Sequence, residues 1–309
     1  MYYGRSSDFE SAEMTIDIVN DGAVSTGNVY PQPQKTGVLY NAYLISPRFI
    51  ATRNILFFVS CAIQKSIKTK YGYEYKASWD RVKKNYIQLP VKADETIDFD
   101  FMETFIAKLK AERIAELSAY LTVSGLDNYV LSKEEEQALQ NYKNIPFEEF
   151  DITSVFDIKN TSNILSEQIV KGSGKTPYLC ASSENNGVSS YISFDKKYLE
   201  SGHCVFIGGK TFVVTYQEAD FFSNDSHNLS LRLMEYNANK LEYLYLVTCV
   251  YKSLSHKYSW GNSVSKTKIK KDKINLPTKN GKPDYEAMEL LISAIQKLVI
   301  KYVNDRIQK

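Results

Sequence analysis

The sequence predicts an α+β chain built from two copies of one unit, each a β-rich domain followed by a long helix. Three observations predict this fold: an internal repeat of long period, short strand-like segments that end in turn residues, and an apolar stripe of helical spacing after each repeat. The length of 309 residues also favours about two domains.

The repeat is clearest between residues 61–90 and 249–277. Each copy runs from a V-[ST]-C motif through a tyrosine and a second aromatic residue two positions later to a basic pair and an I-[QN]-L-P motif. A D-[FY]-[DE]-x-M-E-x-x-I motif follows at 98–106 and at 284–292. Because the offset between the copies stays between 186 and 188 residues over some 45 positions, the similarity indicates a duplicated architecture.

Secondary structure inside the copies follows from local patterns. Strands are expected at 15–22, 203–209 and 211–216, where β-forming residues lead into turns. Buried helices are expected at 54–67 and 241–254, whose apolar residues recur at mixed spacing.

A long helix is expected after each I-[QN]-L-P motif, at about 98–121 and 284–308. In the second helix five residues step by 3, 4, 3 and 4 positions, which is the spacing of a coiled-coil seam: Met288, Leu291, Ile295, Leu298 and Tyr302. The first helix begins with the same pattern and then drifts around Arg113.

These stripes predict that the two helices pair as an antiparallel coiled coil. Core packing inside each domain is the alternative explanation. The predicted partner-binding residues on the two helices are Met102, Phe105, Leu109, Met288, Leu291, Ile295 and Leu298.

The predicted organisation has four parts: a first domain at 1–90, a helix with an acidic linker at 91–146, a second domain at 147–280 and a C-terminal helix at 281–309. Inside the linker, Ser132 and Glu135 form a capping-box pattern that predicts a short acidic helix.

Charge is segregated along the chain, although the net charge is only +2. Residues 252–282 contain nine lysines and one acidic residue, whereas residues 91–151 contain fourteen acidic and six basic residues. Such segregation favours a polyanionic partner, with a solvated lysine-rich face as the alternative.

The segment "KGSGKTP" at 171–177 resembles the end of a phosphate-binding loop but does not complete one. The first glycine of the motif would stand at Ile169, and Pro177 removes an amide where a helix should begin. Nucleotide binding is therefore not expected.

Metal and nucleophile signatures are missing as well. The adjacent His203 and Cys204 do not have zinc-ligand spacing, and Asp195 followed by two lysines is a poor nuclease motif.

The four cysteines contain no C-x-x-C pair and no export signal is visible, so reduced, mostly buried thiols in a cytoplasmic protein are expected. No apolar run reaches the length of a membrane span.

Taken together, the duplicated motifs resemble the DNA specificity subunit of Type I restriction–modification systems and the similar chain of BcgI-like Type IIB enzymes. The resemblance covers essentially the whole chain. It is carried by "FEEFDITSVFDI" at a domain start, "YLCASSENNGVSSYI" at 178–192, the tyrosine–aromatic pair, the basic run before I-[QN]-L-P, and the helix after it.

The resemblance implies two tandem target-recognition domains, each followed by a conserved helix. It implies a non-catalytic subunit that directs a partner adenine methyltransferase and a partner endonuclease to a bipartite site in double-stranded DNA. No cofactor is expected in this chain, and the methyltransferase is expected to use S-adenosylmethionine. A helix over 284–308 would span roughly 36 Å, which is close to one turn of duplex.

In such a domain the polar end of the loop "SSENNG" is expected to face DNA, because asparagine can pair with adenine in the major groove. An ordinary Asx turn is the alternative, and Trp260 could equally be a core residue. The predicted DNA-binding residues are Lys175, Ser182, Ser183, Asn185, Asn186, Lys210, Tyr258, Trp260, Asn262, Lys266, Lys268, Lys270 and Lys271 in the second copy, and Asn20, Tyr71, Tyr73, Lys83 and Lys84 in the first.

The first copy departs from the family pattern at its front. Residue 1 aligns near residue 189, so about 40 residues that would match 147–188 have no counterpart, and no "SSENNG" loop precedes Tyr2 and Tyr3. Two alternative functions stay open: an independent DNA-cleaving or nucleotide-using enzyme, and an interaction protein with a lysine-rich surface that reads no sequence.

Overall fold

The computed structural model describes residues 11–307. The chain divides between Ser124 and Gly125 into two compact units, called here unit 1 and unit 2. The part of the sequence comparison that concerns Tyr2 and Tyr3 lies outside the described residues.

Unit 1 is a three-stranded antiparallel sheet packed against one helix. The strands are β1 (Thr15–Val19), β2 (Val29–Gln32) and β3 (Ala42–Ile45), in the order β2-β1-β3. Because successive side chains of a strand point to opposite faces, Ile16 and Ile18 of β1 share the face that packs on α1 (Arg53–Ile67). The Thr52 hydroxyl accepts a hydrogen bond from the Ile55 amide and caps α1.

Two further helices complete unit 1. A single turn, α2 (Trp79–Val82), precedes the long α3 (Phe99–Val123), and the Asp98 carboxylate caps α3 by accepting from the Phe101 amide at 2.9 Å. The long helix is confirmed with slightly shifted ends.

Unit 2 opens with the acidic helix α4 (Lys133–Asn141), and the predicted capping box is confirmed. The Ser132 hydroxyl accepts from the Glu135 amide at 3.2 Å, and the Glu135 carboxylate accepts from the Ser132 amide at 2.7 Å. Glu135 is buried, and it also accepts from Ser293 and Lys297 on the C-terminal helix. It therefore links α4 to the end of the chain.

The rest of unit 2 contains three small sheets. The strands and short helix after α4 are β4 (Phe147–Asp151), α5 (Ile152–Val155), β5 (Phe156–Asn160), β6 (Thr176–Leu179), β7 (Val188–Ile192), β8 (Cys204–Ile207), β9 (Val214–Gln217), β10 (Phe222–Ser223) and β11 (Leu229–Leu233). They are followed by α6 (Lys240–Leu254), α7 (Lys266–Ile269), β12 (Lys273–Lys279), β13 (Lys282–Pro283) and α8 (Tyr285–Ile307). The sheet orders are β5-β11-β8-β9, β10-β6-β7 and β13-β12-β4.

The two faces of β8 pack against different elements. Val205 and Ile207 lie in the main core with residues of α6, whereas Cys204 and Phe206 lie in a smaller cluster with Leu179 and Phe221. The four-stranded sheet therefore separates α6 from the small sheet that contains β6, β7 and β10. Burial raises the pKa of the Cys204 thiol to about 12, so this cysteine is an unreactive core residue.

The sheet of unit 1 matches part of the sheet of unit 2. In each unit the central strand carries two apolar residues toward the helix that contains the V-[ST]-C motif. The order β2-β1-β3 corresponds to β9-β8-β11. Among the described residues of unit 1, β5 and the small sheet have no counterpart, which agrees with the region that the sequence comparison found unmatched.

Two of the predicted strands were too long at their starts, and one expectation about the cysteines was only partly right. The second predicted strand begins at Cys204 instead of His203, and the third begins at Val214 because Phe212, with φ of 53°, turns the chain before it. Cys204 and Cys249 are buried, but Cys180 is half-buried and Cys61 is exposed, so the expectation of mostly buried thiols was right for only two of the four.

None of the helices within residues 11–307 has the length and apolar character needed to cross a membrane.

Three of the predicted partner-binding residues are core residues of their own units. Met102, Met288 and Leu291 are almost fully buried, so core packing accounts for their place in the apolar stripes. The exposed members of the predicted set are Phe105, Leu109, Ile295 and Leu298.

We expect the link between α4 and α8 to make the stability of unit 2 depend on pH. Burial alone would raise the pKa of Glu135, but hydrogen bonds from Ser293, Lys297 and the Ser132 amide outweigh it and the pKa lies below its usual value. A lowered pKa in the folded state gives stability that is present above the unfolded-state pKa and is lost as pH falls through the folded-state pKa.

Glu135→Ala should lower the free energy of unfolding at neutral pH by about 3 kcal/mol, because it leaves Lys297 without its buried partner. It should also remove part of the acid-induced loss of stability. Urea unfolding between pH 3 and 7 measures both effects, with the exposed neighbour Glu136→Ala as the matched control. Equal effects of the two substitutions would contradict this account.

The pairing of α3 with α8 as an antiparallel coiled coil stays a prediction. Spin labels at positions 121 and 286 should then be close together, because antiparallel helices bring the end of one to the start of the other, while labels at 121 and 304 should be far apart. Electron paramagnetic resonance measures both distances, and the reverse order of distances would contradict antiparallel pairing.

Candidate nucleic-acid interface

Four loops of unit 2 meet at Gly208 and Gly209, directly after β8. A Cβ atom at Gly208 would lie 2.6 Å from the Cβ of Ala181, and a Cβ at Gly209 would clash with the carbonyl of His227. The Gly209 carbonyl accepts a hydrogen bond from the Val264 amide at 3.0 Å. Only glycine allows such close approach of backbones, so these two residues bring together the four loops, named here the loop cluster: 180–187, 208–211, 224–228 and 259–265.

The first of these is the loop 180–187, named the reading loop because the sequence interpretation predicts that it faces DNA. It follows β6 and contains the predicted serines and asparagines. Asn185, Asn186 and Gly187 have φ of 47°, 52° and 80°, so three successive residues adopt the left-handed conformation. Asparagine tolerates this conformation better than other non-glycine residues. The loop is also fixed at its start, where the Thr211 hydroxyl donates to the Ala181 carbonyl at 3.0 Å.

Both asparagines have structural hydrogen bonds. Nδ2 of Asn185 donates to the Val188 carbonyl, and Nδ2 of Asn186 donates to the Tyr216 carbonyl, both at 3.0 Å. An amide nitrogen carries two hydrogens, so each side chain keeps donor and acceptor capacity for a base. The Ser182 hydroxyl accepts from the Glu184 amide at 3.1 Å, whereas Ser183 is exposed.

The loop 224–228 contributes a charged group that the sequence interpretation did not identify. The Asp225 carboxylate interacts with His227 Nδ1 at 2.7 Å and with Lys210 Nζ at 3.6 Å. Burial alone would raise the pKa of Asp225, but hydrogen bonds from His227 and the charge of Lys210 hold it below its usual value. The carboxylate therefore stays ionised and orients a histidine and a lysine at the loop cluster.

A buried polar network supports the cluster from below. Asn228 accepts from the Gly209 amide at 3.0 Å and donates to Ser223 and Asn224 at 3.1 Å each. The Thr161 hydroxyl donates to Ser223 Oγ at 2.7 Å. Since unsatisfied buried polar groups are costly, this network favours one conformation of the loops.

The tyrosine–aromatic pair is divided between core and surface. Tyr258 is buried and donates its hydroxyl to the buried Asp272, which Lys257 also contacts, and burial with this hydrogen bond raises the pKa of Tyr258. The prediction of DNA contact by Tyr258 is therefore wrong. Trp260 is 76% exposed at the tip of a tight turn, so its alternative assignment to the core is also wrong.

The turn that holds Trp260 is fixed by Asn262 and Lys268. Asn262 Nδ2 donates to the Lys257 carbonyl at 2.8 Å, and its Oδ1 accepts from Lys268 Nζ at 2.9 Å. Lys268 Nζ also donates to the Ser263 carbonyl at 3.0 Å. Lys268 and Asn262 thus have a structural role beside any contact with DNA.

The other lysines of the run differ in exposure. Lys270 and Lys271 are exposed, and Lys266 is half-buried at the start of α7. A cavity of about 330 Å³ lies beside this run, lined by Lys257, Tyr258, Asn262, Thr267, Lys268 and Lys271.

The segment "KGSGKTP" forms a turn before a strand, as expected for a chain that is not a phosphate loop. A Cβ at Gly174 would clash with the backbone of Ile192, and the Ser173 hydroxyl accepts from the Ser193 amide at 3.0 Å. The glycine is thus required by close packing on β7. Lys175 precedes β6 and lies at the opposite end of this strand from the reading loop, so the structure does not bring it into the loop cluster.

The first-copy residues repeat part of this pattern. Tyr71 is half-buried and accepts from Asn85 at 2.6 Å, whereas Tyr73 is 74% exposed beneath Lys76. Lys83 forms an ion pair with Asp80 at 2.5 Å, and Lys84 is exposed. Asn20 follows β1, as Gly208 follows β8, and its Oδ1 is buried without a hydrogen-bond partner.

Sequence reasoning missed the residues that assemble the cluster: Gly208, Gly209, Gln217, Asp225, His227 and Asn228. The double glycine after a buried strand was the available signal, because it indicates close backbone approach. In the described part of the chain, no three His, Cys, Asp or Glu residues are grouped so that they could hold a metal ion.

Comparison with known proteins identifies the family. The family model described as "Type I restriction modification DNA specificity domain" matches residues 6–119 and 144–303. The specificity subunit S.BcgI of the Type II restriction enzyme from Heyndrickxia coagulans is 26% identical over 264 residues, which cover 84% of this chain and 72% of that protein.

Two solved structures are similar to this chain, and the first shows a shared fold. The S subunit of a Type I restriction–modification system from M. genitalium has a TM-score of 0.50 at 13% identity, covering 99% of this chain and 81% of that one. The HsdS subunit from Thermoanaerobacter tengcongensis has a TM-score of 0.38 at 15% identity, covering 96% and 75%.

The match in two segments confirms two tandem specificity domains and a role as a non-catalytic specificity subunit of a restriction–modification system. This chain belongs to the family of Type I restriction–modification DNA specificity domains.

Proposed function

We propose that this chain selects a bipartite site in double-stranded DNA for a partner adenine methyltransferase and a partner endonuclease, and that unit 2 reads one half of the site with the loop cluster. The observation that carries the proposal is the convergence of four loops on Gly208 and Gly209. This convergence presents Ser183, Asn185 and Trp260 on a rigid support. Rigid placement of short polar side chains is what direct readout of base edges requires.

Lysines beside the cluster supply the contacts that do not depend on sequence. Lys270 and Lys271 are exposed, and Lys271 lines the cavity next to the Trp260 turn. Contacts with phosphates position a protein on the duplex and give affinity without sequence information. In unit 1, Lys84 and, less strongly, Lys83 would act in the same way, because Asp80 already neutralises part of the charge of Lys83.

Two apolar grooves at equivalent positions of the repeat support docking of methyltransferase subunits. The groove of unit 1, about 670 Å³, is lined by Cys61, Gln88, Phe105, Ile106 and Leu109 among others. The groove of unit 2, about 690 Å³, is lined by the matching Cys249, Asn275, Leu291, Ile292 and Ile295. Equivalent surfaces are expected where one kind of subunit binds twice.

The chemistry then belongs to the partners. The methyltransferase would supply S-adenosylmethionine and flip its target base, which requires a reader to place it on the duplex. A subunit that reads genomic DNA would act where that DNA lies, which agrees with the predicted cytoplasmic location.

Selection from randomised duplexes tests the function. The purified chain, with its methyltransferase partner, should enrich one sequence motif made of two parts with a fixed gap. Enrichment of a single uninterrupted motif would reject the bipartite site, and the absence of any enriched motif would reject sequence reading.

Two classes of substitution should separate phosphate contacts from base contacts. Lys270→Ala and Lys271→Ala should weaken binding to selected and scrambled duplexes alike, and the salt slope should shrink by about one unit per lost contact. Asn185→Ala or Asn186→Ala should weaken the selected duplex more, by about 1–3 kcal/mol per lost base contact.

A salt titration of binding on both duplexes measures these effects. Lys279→Ala is the control, because Lys279 is an exposed lysine at the far end of β12 that pairs with Glu286. Lys268→Ala should affect both properties, since Lys268 also holds the Trp260 turn. Normal binding by both Lys270→Ala and Lys271→Ala at all salt concentrations would remove the basic run from the DNA surface.

A further inference from the structure

We infer that Gln217 is a positioning residue that fixes the conformation of the reading loop 180–187 and thereby its sequence preference. The inference rests on the proposed function, because it assigns a specificity role within the same loop cluster. The role of Gln217 follows from its burial and its hydrogen-bond partners, because the sequence around it has no distinguishing pattern.

Gln217 is the last residue of β9 and is only 4% exposed. Its Nε2 donates to the Asn186 carbonyl at 3.0 Å and to the Thr215 hydroxyl at 2.9 Å. Both hydrogens of the amide are thus used, one inside β9 and one across to the reading loop.

The hydrogen bonds between β9 and the loop run in both directions. While Gln217 donates to the Asn186 backbone, the Asn186 side chain donates to the Tyr216 carbonyl at 3.0 Å. This reciprocal pair holds Asn186 at its backbone and at its side chain. The loop has no comparable restraint at Ser183 and Glu184, whose side chains are exposed.

The loop needs such a restraint because its backbone is strained. Asn185 and Asn186 both have left-handed φ values, which asparagine tolerates better than other side chains do but which only glycine adopts without cost. Strained conformations persist only where surrounding contacts fix them. The Asn186 carbonyl lies between the two left-handed residues Asn186 and Gly187, so the hydrogen bond that it accepts from Gln217 fixes the strained part of the loop.

Loss of this restraint should affect selectivity more than affinity. Gln217 is buried and uncharged, so its replacement removes no phosphate contact and leaves the salt dependence unchanged. A loop with several conformations presents its side chains to the correct bases for only part of the time, which reduces the apparent affinity for the cognate site.

The test uses Gln217→Met, which keeps the length of the side chain and removes its hydrogen bonds. Glu135→Gln is the control for stability, because Glu135 is buried in the same unit but contacts α8 instead of the loop cluster. Both variants are compared with the wild-type chain after their folding is verified by thermal unfolding.

The first measurement needs no DNA. Cleavage of the free chain after Glu184 by a glutamate-specific protease should be faster in Gln217→Met than in the wild type and unchanged in Glu135→Gln, because only the first variant loosens the exposed loop. Cleavage at the wild-type rate in Gln217→Met would overturn the restraint.

The second measurement is the ratio of Kd for scrambled and selected duplexes. Gln217→Met should lower this ratio by about tenfold, the equivalent of about one hydrogen bond, with an unchanged salt slope. An equal fall in Glu135→Gln, or a wild-type ratio in Gln217→Met, would overturn the inference. If the wild-type chain has no sequence preference, the proposed function fails and the specificity role of Gln217 fails with it, while the protease measurement still decides whether Gln217 restrains the loop.

Discussion

The close contact of the Gly208–Gly209 backbone with three other loops is the constraint on which the candidate interface depends. Two glycines allow Ala181, His227 and Val264 to approach the end of β8. No side chain larger than hydrogen fits there, so the loops from distant parts of unit 2 have one arrangement. Beneath them, Asn228 satisfies the Gly209 amide from the buried side. The result is a surface of short polar side chains on a support that is fixed by backbone contacts.

Unit 1 keeps the sheet and helix of this architecture but has different chemistry on its outer face. Where β8 of unit 2 directs Cys204 and Phe206 at the small sheet, β1 of unit 1 carries Thr15 and Asp17. Both have buried oxygen atoms without a hydrogen-bond partner, and burial raises the pKa of Asp17. The two units therefore share a scaffold and differ in the face that bears the reading loop in unit 2.

The sequence predicted the architecture better than the site. A repeat with a constant offset identified two units and their long helices, because the same packing selects the same apolar and turn residues twice. Residue type alone could not separate Tyr258 from Trp260, since burial depends on Asp272, which is 14 residues further along the chain than Tyr258. In the same way, no sequence motif around Gln217 or Asn228 predicts their role, because each acts through a hydrogen bond to a loop about 20–30 residues away in the sequence.

Hydrogen–deuterium exchange of the chain, with and without a duplex that contains the selected site, tests whether the loop cluster reads DNA. DNA should slow exchange in the loop cluster, at 180–187, 208–211, 224–228 and 259–265, and in the lysine run that follows it. Slower exchange in unit 2 only at positions outside these segments, or no change in exchange at a saturating DNA concentration, would contradict the claim that the loop cluster reads DNA.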